Sequence, residues 1–379
     1  MTVSHSLNVT VHQKQGMCSL PRNCNRLPGT GGPGERLPLN KRIMVAMSGG
    51  VDSSVTAALL KQQGFAVTGV FMLLAQGDGE AQAERARRIA GRLGIPLEVV
   101  DLATEFERQV LNYFRVSYLS GQTPNPCVVC NRLIKFGLLR EVGRRLGISA
   151  MATGHYARTV VGEDGHVRLL AGYDPQKDQS YFLCGLGQEH LTGVTFPLGE
   201  TTKTEVYQLA AALGLSGLHS PESQDICFLQ GRTLADFFAG MPPRPGDFVT
   251  LSGTVKGQHQ GIYRYTVGQR RGLGLPDATP YYVVGIDAAR NRVLIGKQED
   301  LYRQEVVVRE MRWVSGLAPT LPQSFMVKIR YRHPATAALI SQEAAGYRIG
   351  FAVPQRAVTP GQFAAVYQGD ELVGGGAID

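Results

Sequence analysis

Two groups of residues in this 379-residue chain have types and spacings that do chemistry. The first is Met47-Ser48-Gly49-Gly50-Val51-Asp52-Ser53-Ser54, set between an apolar run and the start of a helical pattern. At such a junction backbone amides and a helix N-terminus converge on an anion. The adjacent glycines let the backbone approach phosphates, and Ser48, Ser53 and Ser54 add hydroxyl donors. The Gly-Lys-Ser/Thr of a Walker loop is absent, so no lysine of this loop reaches a γ-phosphate and pyrophosphate is the natural leaving group. A glycine turn capped by serine would explain two glycines and one serine, but not the whole run in the place a phosphate loop belongs. The second group is Cys127 and Cys130, a Cys-x-x-Cys pair, with Cys227 far downstream. Two thiols allow one to carry a persulfide and the other to resolve it as a disulfide. Three could instead hold an iron–sulfur cluster with one open iron. A structural zinc would need a second Cys or His pair to complete a tetrahedral set. A simple redox pair, or a Cys227 that is only a small apolar residue beside Phe228, stays open on local sequence. Cys18, Cys24 and Cys184 are given no role.

The elements that must position these groups follow from periodicity. Residues 43–47 read as a short buried strand, 51–63 as a helix ended by Gly64, and 65–74 as a second strand. Residues 80–93 are helical in composition and stop at Gly94, and 96–102 supply a third strand. A helix over about 104–119, a loop over 121–130, a helix over about 132–146 closed by Gly147 and a strand over 148–153 follow. This places Cys130 at a helix start, where the dipole lowers a thiol pKa. Strand and helix alternating with short connections predict α/β architecture, a doubly wound parallel sheet with its ligand site at the carboxyl ends of the strands. Past about residue 220 short β-rich runs are separated by proline and glycine, and 281–287, 288–291 and 292–297 read as a hairpin. From about 305 onward, runs such as 325–331 predict a small β-barrel or sandwich. The expected domains are a phosphate-loop unit over 41–222, a small central domain over 223–290 and a β-barrel over 291–379. Residues 1–40 read as a disordered tail or an extension from a start codon set too early.

Composition sets the surroundings of the chemistry. No apolar run approaches the roughly 20 residues of a spanning helix, and no charged-then-apolar signal opens the chain, so a cytoplasmic protein with reduced thiols and no membrane association is expected. Lysine and arginine number 39 against 31 acids, a mild excess of 8 whose distribution says more. Residues 248–276 hold no acid but carry Lys256, Arg264, Arg270 and Arg271; residues 108–140 hold none but carry Arg115, Arg132 and Lys135. Such patches attract phosphate backbones through counterion release, or are simply solvated basic faces.

The loop resembles the PP-loop signature of the N-type ATP pyrophosphatases. Further blocks are Thr123-Pro-Asn-Pro-Cys127-Val-Val-Cys130-Asn131-Arg132-Leu-Ile-Lys135-Phe136, Ala152-Thr-Gly154-His155-Tyr156, Lys177-Asp178-Gln179-Ser180-Tyr181-Phe182, Ser223-Gln-Asp-Ile-Cys227-Phe228, Gly268-Gln-Arg-Arg-Gly-Leu-Gly274 and Thr359-Pro-Gly-Gln362. With these the chain from about 41 to 379 resembles the bacterial tRNA-specific 2-thiouridylase (MnmA) family. The resemblance implies a PP-loop, HUP-like fold with a small central domain and a C-terminal β-barrel. It implies ATP-dependent adenylation of the wobble uridine O2, with magnesium, then sulfur transfer from a persulfide on Cys227 with Cys130 as partner nucleophile. It assigns nucleotide contacts to Ala46, Met47, Ser48, Gly49, Gly50, Val51, Asp52, Ser53, Met72 and Gly154. It assigns contacts to the tRNA anticodon loop to Asn125, Pro126, Cys127, His155, Lys177, Asp178, Gln179, Arg330, Tyr331 and Gln362, with Arg330 and Tyr331 on a barrel strand. A sulfur-relay protein is the implied donor. One departure is Cys127, where much of the family has an aspartate; the three-thiol cluster of Cys127, Cys130 and Cys227 is the alternative it raises. A PP-loop amidating ligase, which needs an amine site and no cysteine pair, is the rival enzyme class. A non-catalytic tRNA-binding module would leave the intact loop without a use.

Overall fold

The computed structural model describes residues 42–74, 79–217, 226–229 and 231–379. The expected tail, with Cys18 and Cys24, and residues 223–225 of the Cys227 block lie outside these.

In chain order the first seven strands are β1 (Arg42–Met47), β2 (Ala66–Leu73), β3 (Leu97–Asp101), β4 (Ala150–Ala152), β5 (Ala157–Val161), β6 (Val167–Ala171) and β7 (Val194–Thr195). β1–β4 and β7 form a five-stranded parallel sheet in the order β3-β2-β1-β4-β7. Alternate side chains of a strand leave by opposite faces. Ile43, Val45 and Met47 accordingly pack with Val55 and Leu59 of α1 (Val51–Gln62) and with Val206 and Leu209. Met44 packs on the other face with Phe136, Leu139 and Ile148. Apolar residues on both faces of β1 are what a doubly wound sheet demands. Gly64 (φ +86°) and Gly147 (φ +69°) end their helices in the left-handed conformation, as the glycines predicted.

The expected loop over 121–130 is shorter than its composition suggested. A helix starts at Pro126, because the Asn125 side chain accepts from the Val128 amide and proline stands at the first helical position. It then widens into a π-helical stretch over Asn131–Leu138 before Leu139–Arg145.

The predicted hairpin is present: Tyr282–Asp287 pairs antiparallel with Arg292–Gly296, turning through Asn291 (φ +51°). Arg292–Gly296 also pairs with Gly246–Thr250, so this four-stranded sheet reaches past residue 290. The C-terminal strands run antiparallel around a core of Val306, Val308, Phe325, Val327, Ile340, Ile349, Phe351 and Val366, with Val308 bridging back to Ile378. The hairpin β5–β6 joins this sheet through Glu371–Ala377, tying the parallel-sheet domain to the barrel by backbone hydrogen bonds.

Candidate active site

The phosphate loop follows β1 at the carboxyl edge of the sheet. Gly49 takes φ +74°, and a Cβ there would lie 3.3 Å from the Gln82 carbonyl oxygen. Gly50, by contrast, is extended (φ −91°) and caps α1. The serines fold the loop on itself: Ser53 Oγ accepts from the Ser48 amide (3.1 Å) and donates to Gly50 O (3.2 Å), while Ser54 Oγ donates to Gly50 O (2.8 Å). Met47 and Val51 are buried and act as packing; Ser48 is exposed at the tip. Ala46 packs against the core beneath. Met72, half-buried in β2, packs toward both the sheet core and the aromatic cluster that holds Cys130.

Asp52 accepts from Lys203 Nζ at 2.7 and 2.8 Å and from the Tyr156 hydroxyl at 2.8 Å. Lys203 was missed from sequence. The one local signal was its place as first residue of helix Lys203–Ala212, where the helix dipole disfavours a cation; the structure adds that it is 7% exposed. A buried lysine in that position needs a carboxylate or an incoming anion. Gly154 acts by closeness: a Cβ there would lie 2.9 Å from Asp52 C and from Ser53 N. Its bare backbone lets the exit of β4 run along the start of α1.

The thiols assemble around one aromatic cluster. Cys130 and Val129 pack with Phe106, Phe114 and Ile134, and Phe228 joins the same cluster, 5.1 Å from Phe114 and 6.0 Å from Phe106 between ring centroids. Phe228 thereby anchors the turn that carries Cys227 beside the pair. Burial raises all three thiols; Cys227 further raises Cys127 and Cys130, Cys127 further raises Cys130, and Lys135 pulls all three down. Cys130 is not at the helix opening, as expected from sequence, but one turn in, because the helix begins at Pro126. The dipole effect is therefore overridden by burial, which pushes Cys130 up to about 12 and Cys127 up to about 11. Cys227 is the exposed member, its thiol also raised by desolvation. The disulfide expected as an intermediate is not formed; Cys127, Cys130, Cys184 and Cys227 are free thiols. Cys184 is buried core.

A measurable consequence concerns Cys127. An ordinary thiol stops gaining alkylation rate once pH passes its pKa of about 8.5. Cys127, raised to about 11, is still almost wholly thiol there, so its rate should climb about tenfold per pH unit between pH 8 and 10. Iodoacetamide labelling read by peptide mass spectrometry checks this, and a plateau near pH 9 contradicts the burial.

His155 links the two centres. It is hydrogen-bonded to Thr153 Oγ1 (2.7 Å) and packed near Phe136 and Phe196; burial and then Lys135 hold it well below the usual imidazole range, so it is neutral at pH 7. Gly154 beside it touches the phosphate loop.

The other expected RNA contacts divide by what already holds them. Asp178 is buried and accepts from the amides of Gly172 (2.9 Å) and Ser180 (3.0 Å), with Lys328 Nζ at 3.4 Å. Gln179 accepts from the Tyr156 amide (3.1 Å), and Lys177 sits half-buried on the turn before it. Arg330 and Tyr331 lie beyond the strand Gln323–Lys328, not on it. Arg330 donates to the Arg356 carbonyl (3.0 Å), and Tyr331 packs 4.5 Å from Phe182. Asn125 and Pro126 are buried at the helix cap, and Gln362 donates to the carbonyls of Thr123 (2.9 Å) and Pro124 (3.4 Å). Arg264, Arg270 and Arg271 are exposed.

Comparison with known proteins accords with this layout. Residues 41–231 match the family described as tRNA methyl transferase HUP domain, 236–297 its PRC-barrel domain, and 303–378 the aminomethyltransferase beta-barrel domain. The tRNA-specific 2-thiouridylase MnmA of Synechococcus sp. (strain JA-2-3B'a(2-13)) is 47% identical over 352 residues, covering 90% of this chain and 95% of the relative. That of Geobacter metallireducens is 47% identical over 359 residues, covering 89% and 97%. Among solved structures, a 4-thiouridine synthetase–RNA complex with bound ATP overlaps with TM-score 0.35 at 16% identity, covering 51% of this chain and 46% of that one, too little to carry an argument.

Proposed function

The chain belongs to the tRNA-specific 2-thiouridylase (MnmA) family, and we propose that it adenylates the wobble uridine of tRNA at O2 with ATP and replaces that oxygen with sulfur from a cysteine persulfide. The observation that carries the reading is the adjacency of two centres: Gly154 lies against the phosphate loop, while Met72 of β2 packs both on the core of the sheet that carries this loop and on the cluster that holds Cys130. A methyl transfer, which the family descriptions name, would leave a pyrophosphate-holding loop without work.

A uridine C2 oxygen leaves poorly until it is part of AMP. Uridine O2 attacks the α-phosphorus, and the P–O bond to pyrophosphate breaks against the loop amides. Lys203 supplies positive charge there, and Asp52 is the carboxylate that would share a magnesium with the phosphates, the usual arrangement for that ion. The terminal persulfide sulfur on Cys227 then attacks C2 and AMP departs. Cys130 attacks Cys227 Sγ, the S–S bond breaks, 2-thiouridine is released and a Cys130–Cys227 disulfide remains for an external thiol to reduce. Cys227, the exposed residue of the three, is the one a sulfur-relay protein can reach. Among the described residues no three thiol, imidazole or carboxylate side chains are grouped to hold a metal ion.

The test is nucleoside mass spectrometry of tRNA incubated with the protein, ATP and a persulfide donor. The expected result is gain of 2-thiouridine with one AMP and one pyrophosphate per sulfur. AMP release without sulfur gain would favour an amidating ligase, and no turnover a binding module.

The basic loop of the middle domain is read as part of the tRNA surface. Neutralising Arg264, Arg270 or Arg271 should each weaken tRNA binding and flatten the slope of log affinity against log salt by about one. Arg330 is half-buried with a carbonyl partner, so its replacement should also lower the melting temperature. An unchanged salt slope returns a residue to the solvated face.

A further inference from the structure

The Thr359-Pro-Gly-Gln362 turn of the barrel is far from the cysteines in sequence and touches the segment that leads into them. The turn is held on its own side: Thr359 Oγ1 donates to Ala357 O (2.9 Å), Gly361 N to Ile378 O (2.8 Å) and Ile378 N to Gln362 O (2.7 Å). Across the domain boundary, Thr123 N donates to Pro360 O (2.8 Å), and Gln362 Nε2 donates back to Thr123 O and Pro124 O. Gly361 makes the approach feasible: it takes φ +88°, and a Cβ would lie 3.0 Å from both Thr123 N and Thr123 C. Thr123 Oγ1 also meets Thr266 Oγ1 of the middle sheet domain at 3.3 Å, so three domains converge on this residue.

Two residues later the Asn125 side chain caps the helix that carries Cys127 and Cys130. Phe363, next to Gln362, packs against the cluster containing Cys130 and accepts from the Tyr181 hydroxyl (3.0 Å) through its carbonyl. A carbonyl pair held by one primary amide, directly before a helix cap, fixes where that helix begins.

We propose that Gln362 is a positioning residue, a latch by which the barrel sets the start of the cysteine helix and so the place of Cys130 in sulfur transfer. The proposal rests on the reading of Cys130 as the resolving nucleophile. It differs from a direct RNA contact in what it predicts. Gln362→Glu keeps shape but replaces the donor with a charge that repels two carbonyls; Gln362→Met keeps length without a donor.

The experiment compares both variants with Cys130→Ser in three readouts: ATP affinity in the absence of tRNA, tRNA affinity, and single-turnover sulfur transfer from enzyme preloaded with persulfide. Hydrogen exchange of the amides from Cys127 to Cys130 is followed in parallel. For both Gln362 variants sulfur transfer should fall at least about tenfold, as for a nucleophile displaced by a fraction of an ångström. ATP affinity without tRNA should stay within about twofold, and exchange at the helix start should accelerate. Retained ATP affinity also shows that the variants fold. A weaker tRNA affinity with exchange unchanged overturns the proposal and makes Gln362 an RNA contact. Sulfur transfer at the native rate in both variants overturns it as well. If Cys130→Ser itself keeps thiolation, it is the reading of Cys130 that fails, and the latch has no nucleophile to position.

Discussion

Replacing Gly49 with valine should lower AMP and pyrophosphate formation by at least about a hundredfold, the scale for losing pre-arranged backbone donors at a developing charge, while tRNA affinity is retained. The reason is conformational as well as spatial. At φ +74° a β-branched residue is in a region it rarely adopts, and its Cβ would press the Gln82 carbonyl and Arg85. Gly49→Ala should be intermediate. Gly50 is the weaker probe, since its backbone is extended and a Cβ would meet only Ser48 Oγ at 3.3 Å. Asp52→Asn is a poor probe for another reason: it removes the ion partner of a buried lysine, which typically costs about 3–5 kcal/mol of stability, so lost activity and lost fold would be mixed. Gly154→Ala makes an independent check. Its Cβ would sit 2.9 Å from the backbone of Asp52 and Ser53, so it should depress AMP formation by displacing the loop. ATP–pyrophosphate exchange together with filter binding of tRNA measures both effects. Intact adenylation in Gly49→Val would remove the loop from the chemistry.

Why the loop was legible and other parts were not is a matter of range. The phosphate loop is local: a buried strand, two glycines and a helix start are adjacent in sequence, and their geometry follows from neighbours. Gly64 and Gly147 likewise report helix ends without reference to the rest of the chain. The helix at Pro126 was masked by residues that look like a loop, although Asn125 and Pro126 form a capped start. That single misplacement reversed the expected sign of the Cys130 pKa shift, because one turn of depth exchanges dipole stabilisation for burial. The partners of Lys203 and of Gln362 were invisible for a different reason. Each residue acts on a partner more than a hundred residues away, and no periodicity encodes such pairings. Arg330 and Tyr331 were placed on a strand because the apolar run 325–331 overshoots where pairing stops at Lys328.

The sulfur step turns on what Cys127 does, and serine substitutions separate the two mechanisms. In the relay, Cys227 receives sulfur and Cys130 resolves it, so Cys227→Ser and Cys130→Ser should each lower thiolation by at least about a thousandfold, the order expected for removing a covalent nucleophile, while AMP formation persists. Cys127→Ser should retain thiolation. Accessibility supports this division of labour: Cys227 is exposed on a turn anchored by Phe228, whereas Cys130 is 7% exposed inside the aromatic cluster and meets only what enters the site. A donor protein cannot load a thiol it cannot touch. In a cluster mechanism all three thiolates ligate iron, so Cys127→Ser should lose iron, colour and activity together. The deciding experiment is thiolation by Cys127→Ser in a metal-free preparation given a persulfide donor, with a non-reducing gel to trap the Cys130–Cys227 disulfide after one turnover. Thiolation with that disulfide establishes the relay. Activity that instead requires reconstituted iron and accepts inorganic sulfide would make Cys227 a ligand and end its assignment as the persulfide carrier.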